Sequence, residues 1–268
     1  MLNWLKNPNK EEKPLTDSDL RSWGASHITK AFGPSWASLG YDSENKIIDL
    51  IDEKIQDAKS KEIFSMEYRN ANVTVIDGEF YSICLLNGSV ITFFPKAESE
   101  SVYEVELLEI HEVGNLFEAF AEIKIGPAKL FCFITDYFEH KEQYRKGNKI
   151  RLAIGGIAFN CEESDIAQRK FRGRDGKELM LSEDFAGTFP GNAGPASYAV
   201  SGKIAKKKEL MIGKEKAVKF TIQMLHQPDI FMDAIGIEKY CKLPKNGSHA
   251  FSNVWMQLHF PENNLVNK

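Results

Sequence analysis

The chain has no apolar run of the roughly 20 residues that a membrane-crossing helix needs. Its first residues, Met1-Leu-Asn-Trp-Leu-Lys-Asn-Pro, reach Lys10-Glu-Glu-Lys13 without the apolar core of a secretory signal. It has no C-x-x-C pair. Cys84, Cys132, Cys161 and Cys241 stand far apart, three of them in strand-like segments, as expected for reduced, buried thiols of a cytoplasmic, bacterial-type protein. Nucleotide fingerprints are missing too: there is no G-x-G-x-x-G, and the glycines of 187–194 lack the Lys-Ser/Thr that completes a phosphate loop. Gly24-Ala-Ser26-His27 lacks the last glycine of a nucleophile elbow and lies in a helical pattern. A basic excess is also lacking. With 34 Lys and Arg against 38 Asp and Glu, the net charge of −4 argues against a dedicated duplex-DNA binder.

What is present is an ordinary globular composition, 43% hydrophobic and 27% charged, over 268 residues, enough to bury a substantial core. The pattern indicates an α+β protein with N-terminal helices followed by mainly antiparallel β-structure. Residues 1–62 read as a helical segment. A first helix capped at Thr16 or Asp17 stops at Gly33-Pro34, and a second runs from Ser43 to about Lys61 with Ile47, Ile48, Leu50, Ile51 and Ile55 as its apolar stripe. From Ile63 the period changes to two. Phe64–Tyr68, Val73–Val75, Phe80–Leu86 and Val90–Phe94 follow as strands, with turns at Asp77-Gly78 and Asn87-Gly88.

A spacer, Lys96–Ser101, leads to strands near Tyr103–Val113, Leu116–Ile125, Leu130–Thr135 and Ile150–Asn160, with a short polar helix at 136–146. Three strands, a short helix and a long strand carrying Gly155-Gly156 resemble part of the oligonucleotide/oligosaccharide-binding (OB) barrel, which places five strands around its helix. The paired glycines suit a sharp strand bend. Residues 63–165 thus form a first β-rich unit and 166–195 a connecting loop. A second unit, 196–260, loosely repeats the first, and 261–268 form a tail. Two architectures fit: two OB-like small barrels or half-barrels, and an ordinary antiparallel sandwich.

Charge is uneven along this frame. Between Glu98 and Glu122 there are eight Glu and no Lys or Arg, while Arg169–Lys219 carries twelve Lys or Arg against six acids. One reading is of solvated faces that neutralise each other, with Glu104 and Glu106 alternating with Val105 and Leu107 on a wet strand face. The sharper reading is a basic surface for single-stranded nucleic acid or another polyanion. Arg169, Lys170, Arg172, Arg174, Lys206, Lys207 and Lys208 would contact the anion, and Phe171, Phe185, Phe189 and Tyr198 would offer stacking faces. Lys206–Lys208 is expected in the hairpin connection between strands at Ser197–Ile204 and Val218–Met224.

Catalytic and metal candidates are thin. Asp136-x-x-Glu139 resembles a capping box, with His140 beside it. His226, Asp229 and Asp233 match no standard metal spacing. Trp4 reads as an interface residue, Trp23 and Trp36 as anchors of the first helix, and Trp255 as core. The sequence therefore points to a binding or protein-interaction module with no cofactor, no metal and no membrane attachment, a protein being the expected partner. Polyanion binding is the alternative, followed by an enzyme whose site assembles only in three dimensions.

Overall fold

The computed structural model describes residues 32–58, 64–68, 71–113, 115–164, 170–172, 178–180, 185–242 and 245–261. The expected start of the first helix, with Trp23, lies outside them, as do Trp4 and Gly24–His27. Residues 32–37 (α1) are helical, so Gly33-Pro34 does not stop a helix but sits inside one. Helix α2, Glu44–Ala58, begins where the Ser43 hydroxyl accepts the Lys46 amide proton at 3.4 Å, satisfying an orphan donor of its first turn. Ile47, Leu50 and Ile51 are buried along one face, the spacing of a helix packed on one side.

Four strands follow as an antiparallel meander, β1 (Phe64–Tyr68), β2 (Ala71–Asp77), β3 (Tyr81–Leu86) and β4 (Ser89–Pro95). Asn87 and Gly88 both take positive φ, 50° and 81°, as a two-residue hairpin turn demands.

The larger sheet contains β5 (Val102–Glu112), β6 (Ala119–Ile125), β7 (Ala128–Ile134), β8 (Lys149–Glu163), β11 (Gly187–Pro190), β12 (Ser197–Ile212), β13 (Glu215–Leu225), β14 (Ile230–Ile237) and β15 (His249–His259). A separate ribbon pairs β9 (Lys170–Arg172) with β10 (Glu178–Met180). The larger sheet's pairings close twice. One circuit runs β5–β6–β7–β15–β8 and back to β5; the other runs β12–β13–β14–β8–β15 and back to β12. β8 and β15 belong to both. All of these pairings are antiparallel except β14–β8 and β15–β7.

Alternation along the shared strands sorts side chains into two cores. Val254 and Met256 face the interior of the circuits, while Trp255 between them faces outward. There Trp255 meets Phe133 at 4.8 Å and Phe32 of α1 at 5.6 Å between ring centroids, and Phe94 of β4 joins Phe133 at 5.0 Å. Trp36 stacks on Phe93 at 4.2 Å, which anchors α1 to the small sheet. The helices and the small sheet thus pack on the outside of the larger one through an aromatic seam.

Gly155 and Gly156 also answer to crowding: a Cβ on Gly155 would meet the Ala97 carbonyl at 2.8 Å, and one on Gly156 the Trp255 carbonyl at 2.8 Å. One expectation changes. The helix expected at 136–146 is a single turn, α3 (Tyr137–His140), and Asp136 makes no capping hydrogen bond.

Candidate functional site

The 96–101 spacer is a strap held by the sheet it crosses. The Gln257 side chain donates to the Pro95 carbonyl and accepts from the Ala97 amide, both at 2.8 Å. His259 Nε2 accepts the Ser99 amide proton at 3.1 Å, which places its ring proton on Nδ1, directed at the Phe260 carbonyl at 3.0 Å. Buried Asp233, from β14, lies within reach of four donors: the Thr221 hydroxyl at 2.5 Å, the Glu100 amide at 2.8 Å, the Ser99 hydroxyl at 2.9 Å and the Ser101 hydroxyl at 3.3 Å. The Ser99 hydroxyl also lies 2.7 Å from the Ile154 carbonyl, so its single proton is shared between two acceptors. This carboxylate is structural. Of the cluster read from the sequence, His226 and Asp229 do meet, at 3.1 Å on an exposed turn, but Asp233 is committed to the strap.

Glu139 stands in a different setting. The strap's first residue, Lys96, bonds Asp77 at 3.3 Å and Glu98 at 4.0 Å, and the α3 turn lies beside them. Glu139 itself has no hydrogen-bond or ion-pair partner among the described residues. Burial pushes its carboxyl up to about 8, with Asp77 and Asp136 adding to the rise and Lys96 opposing it. Asp136 is pushed up to about 6 by burial, against the Tyr144 hydroxyl at 2.6 Å and the Phe260 amide at 2.7 Å, which both donate to it. Those bonds, with the Phe260 ring 4.4 Å from His140, fasten the end of β15 to α3 and account for Asp136 without a cap.

Glu139 lines a cavity of about 540 Å³, within the range of small-molecule sites. Its walls come from five places in the chain: Trp36 and Tyr41 at α1, Leu50, Glu53, Lys54 and Asp57 on α2, Val75–Tyr81 across the β2–β3 turn, Glu139, and Ile212-Gly213 at the β12–β13 turn. Lys54 is held by Glu53 at 2.5 Å and Asp57 at 3.6 Å. Trp36 is 1% exposed and its indole N–H has no acceptor among the described residues. A second, more open cavity of about 640 Å³ lies against α1 and Pro190–Ser197, with no charged side chain of the described residues on its lining.

Another buried acid, Glu118, is expected on a wet face by its place in the acidic run, yet is 3% exposed. Burial raises its carboxyl and Thr92 and Asn115 moderate the rise; Asn115 Oδ1 accepts the Phe117 and Glu118 amide protons at 2.8 and 2.9 Å, while Glu118 Oε1, the Thr92 hydroxyl and Asn115 Nδ2 are without a hydrogen-bond partner among the described residues. Other acids of the run are matched by cations, Glu109 by Lys146 and Glu112 by Lys141, each at 2.6 Å.

Of the basic candidates, Arg169 and Arg174 lie outside the described residues. Lys170 and Arg172 are in β9, whose backbone register sets Arg172 opposite Glu178. Lys206, Lys207 and Lys208 are exposed, but within β12, opposite Thr221, Phe220 and Lys219, and not in the hairpin connection. The stacking candidates do not join them. Tyr198 is buried, its hydroxyl accepting the Phe131 amide proton at 2.6 Å. Phe185 and Phe189 stack on each other at 6.2 Å near β11, where Phe189 lies opposite Ala199 of β12, roughly 23–30 Å along the strand from the lysines. All four cysteines are free and buried. Among the described residues no group of three or more His, Cys, Asp or Glu is placed to hold a metal, and no helix is long and apolar enough to cross a membrane.

No family model and no curated protein matches the chain. Among solved structures it is similar to the cytoplasmic molybdate-binding protein ModG with molybdate bound, at 11% identity and a TM-score of 0.31, over 62% of this chain and 99% of that one. A likeness of this degree says nothing about the ligand of this chain.

Proposed function

We propose that the chain is a small-ligand binding module without catalytic activity, and that its ligand occupies the cavity lined by Glu139. One observation carries the reading. A carboxyl with no partner among the described residues is kept at a cavity wall at a cost that a merely structural residue would avoid. The frame holding that wall is read as two OB-like barrels that share β8 and β15. In chain order the first circuit supplies three strands, a short helix and two further strands, the arrangement that the OB resemblance implies. The four free thiols suit the cytoplasm.

Thermal-shift screening of the intact protein against chemically varied small molecules tests this. The expected result is stabilisation of the wild type that is lost in Tyr81→Ala and Glu139→Gln. Stabilisation that persists in both variants would remove the cavity from the account.

A second reading, polyanion or single-stranded nucleic-acid binding, is favoured by three consecutive exposed lysines on β12. Arg169, Lys170, Arg172 and Arg174 would extend it. Retention on heparin that weakens with salt and is lost in a Lys206/Lys207/Lys208→Ser variant would support it; salt-independent behaviour would end it.

A further inference from the structure

The lining of the Glu139 cavity is lopsided in a way that selects a ligand class, an inference that rests on the cavity being the ligand site. Among the described residues its wall carries five carboxyl side chains, Glu53, Asp57, Asp77, Glu79 and Glu139, against one ammonium, Lys54. The resident cations are already engaged, Lys54 with Glu53 and Asp57, and Lys96 just behind the wall with Asp77. Glu139 and Glu79 are left to face an incoming positive charge. Aromatic side chains complete the lining, with Trp36, Tyr41, Phe80 and Tyr81 on it. Carboxylates with aromatic faces are the pairing that recognises organic cations, since the ring quadrupole attracts positive charge that the carboxylates neutralise. The space, about 540 Å³, far exceeds a bare metal ion, and no described acidic group is arranged as a metal cage.

We propose that the cavity binds an organic cation, an alkylammonium or guanidinium group, carried either by a free small molecule or by a Lys or Arg side chain of a partner. The cation would supply the counter-charge that Glu139 lacks. Binding would draw the Glu139 proton off, so affinity would rise with pH up to about 8, with Asp77, Asp136 and Lys96 the charged groups facing that carboxyl.

The experiment is calorimetric titration of the full chain with spermidine, methylguanidine and tetramethylammonium, with a lysine-containing hexapeptide as the partner-like arm, and with citrate and glucose as anionic and neutral probes. Cations are expected to bind, more weakly as salt rises. Glu139→Gln should weaken them about tenfold or more, the scale of a lost charged contact. Glu79→Gln, at an exposed turn where folding is not at stake, should weaken them by a smaller factor. Tighter binding of the hexapeptide than of free amines assigns the cation to a partner side chain; the reverse assigns it to a small molecule. If citrate or glucose binds and Tyr81→Ala abolishes that binding while no cation binds, the cation class is wrong and the site survives. If cations bind wild type and variants alike, both ideas fall. Absence of binding by every cationic probe overturns the present proposal.

Discussion

Asp233 and Glu139 are both carboxyl side chains set against protein interior, and the molecule treats them in opposite ways. Around Asp233 four donors from the strap and from Thr221 converge on two oxygens. Such a site repays desolvation and fixes the strap against β8 and β14. Among the described residues no donor bonds Glu139; two of the three charges acting on it are acids, and its carboxyl is pushed up to about 8. A saturated carboxylate has nothing left to offer a ligand. An unsaturated one at a cavity wall does, so partner count, more than burial, separates the structural acid from the functional one.

Substitution should break this symmetry unequally. Asp233→Ala takes the acceptor from the Thr221 hydroxyl and from the strap's Glu100 amide and Ser101 hydroxyl, leaves Ser99 only the Ile154 carbonyl, and is expected to cost about 3 kcal/mol or more in urea unfolding. A cost under about 1 kcal/mol would mean that the strap is not held there. Glu139→Gln should act through pH. With its folded value raised from 4.5 to about 8, Glu139 favours the folded state fully below pH 4.5, and that favour is lost as pH rises through 8. The wild type should therefore lose on the order of a few kcal/mol across that window, and the Gln variant should not. Matching pH profiles would show Glu139 to be solvated. A smaller effect is expected of Thr221→Val, which removes one donor from Asp233 and should cost about 1 kcal/mol. Smallest of all, Lys206/Lys207/Lys208→Ser should change stability by no more than about 0.5 kcal/mol, because those side chains stand exposed to solvent.

The elements were legible where local chemistry decides them. Asn87-Gly88 sets its own turn, Ile47, Leu50 and Ile51 their own helix, and the apolar alternation of β5–β8 its own strands. Legibility failed where a residue answers to distant ones. Lys206–Lys208 interrupts the apolar alternation and so reads as a connection, yet Phe220 and Val218 across the ladder carry the strand through it. Asp136 and Glu139 have the spacing of a cap, but Phe260 and Tyr144 claim the first, and Asp77 and Lys96 surround the second. A faint signal did exist for the strap: Asp233 stands alone in the apolar run Ile230–Ile237 and sits there fully hydrogen-bonded. Its donors lie more than 130 residues earlier, apart from Thr221, which no spacing rule reveals.

The sharing of β8 and β15 has a consequence for how the chain is made. β15 follows β8 by nearly a hundred residues, and both circuits need it. At ribosomal speeds of about 5–20 residues per second, β7 and β8 wait for roughly 5 to 25 seconds, and β12 for roughly 2 to 9, with a vacant slot between them. Neither half of the larger sheet can finish while the other is still being synthesised. A nascent chain that stalls before His249 yields not one good half and one bad, but a set of open strand edges seeking partners.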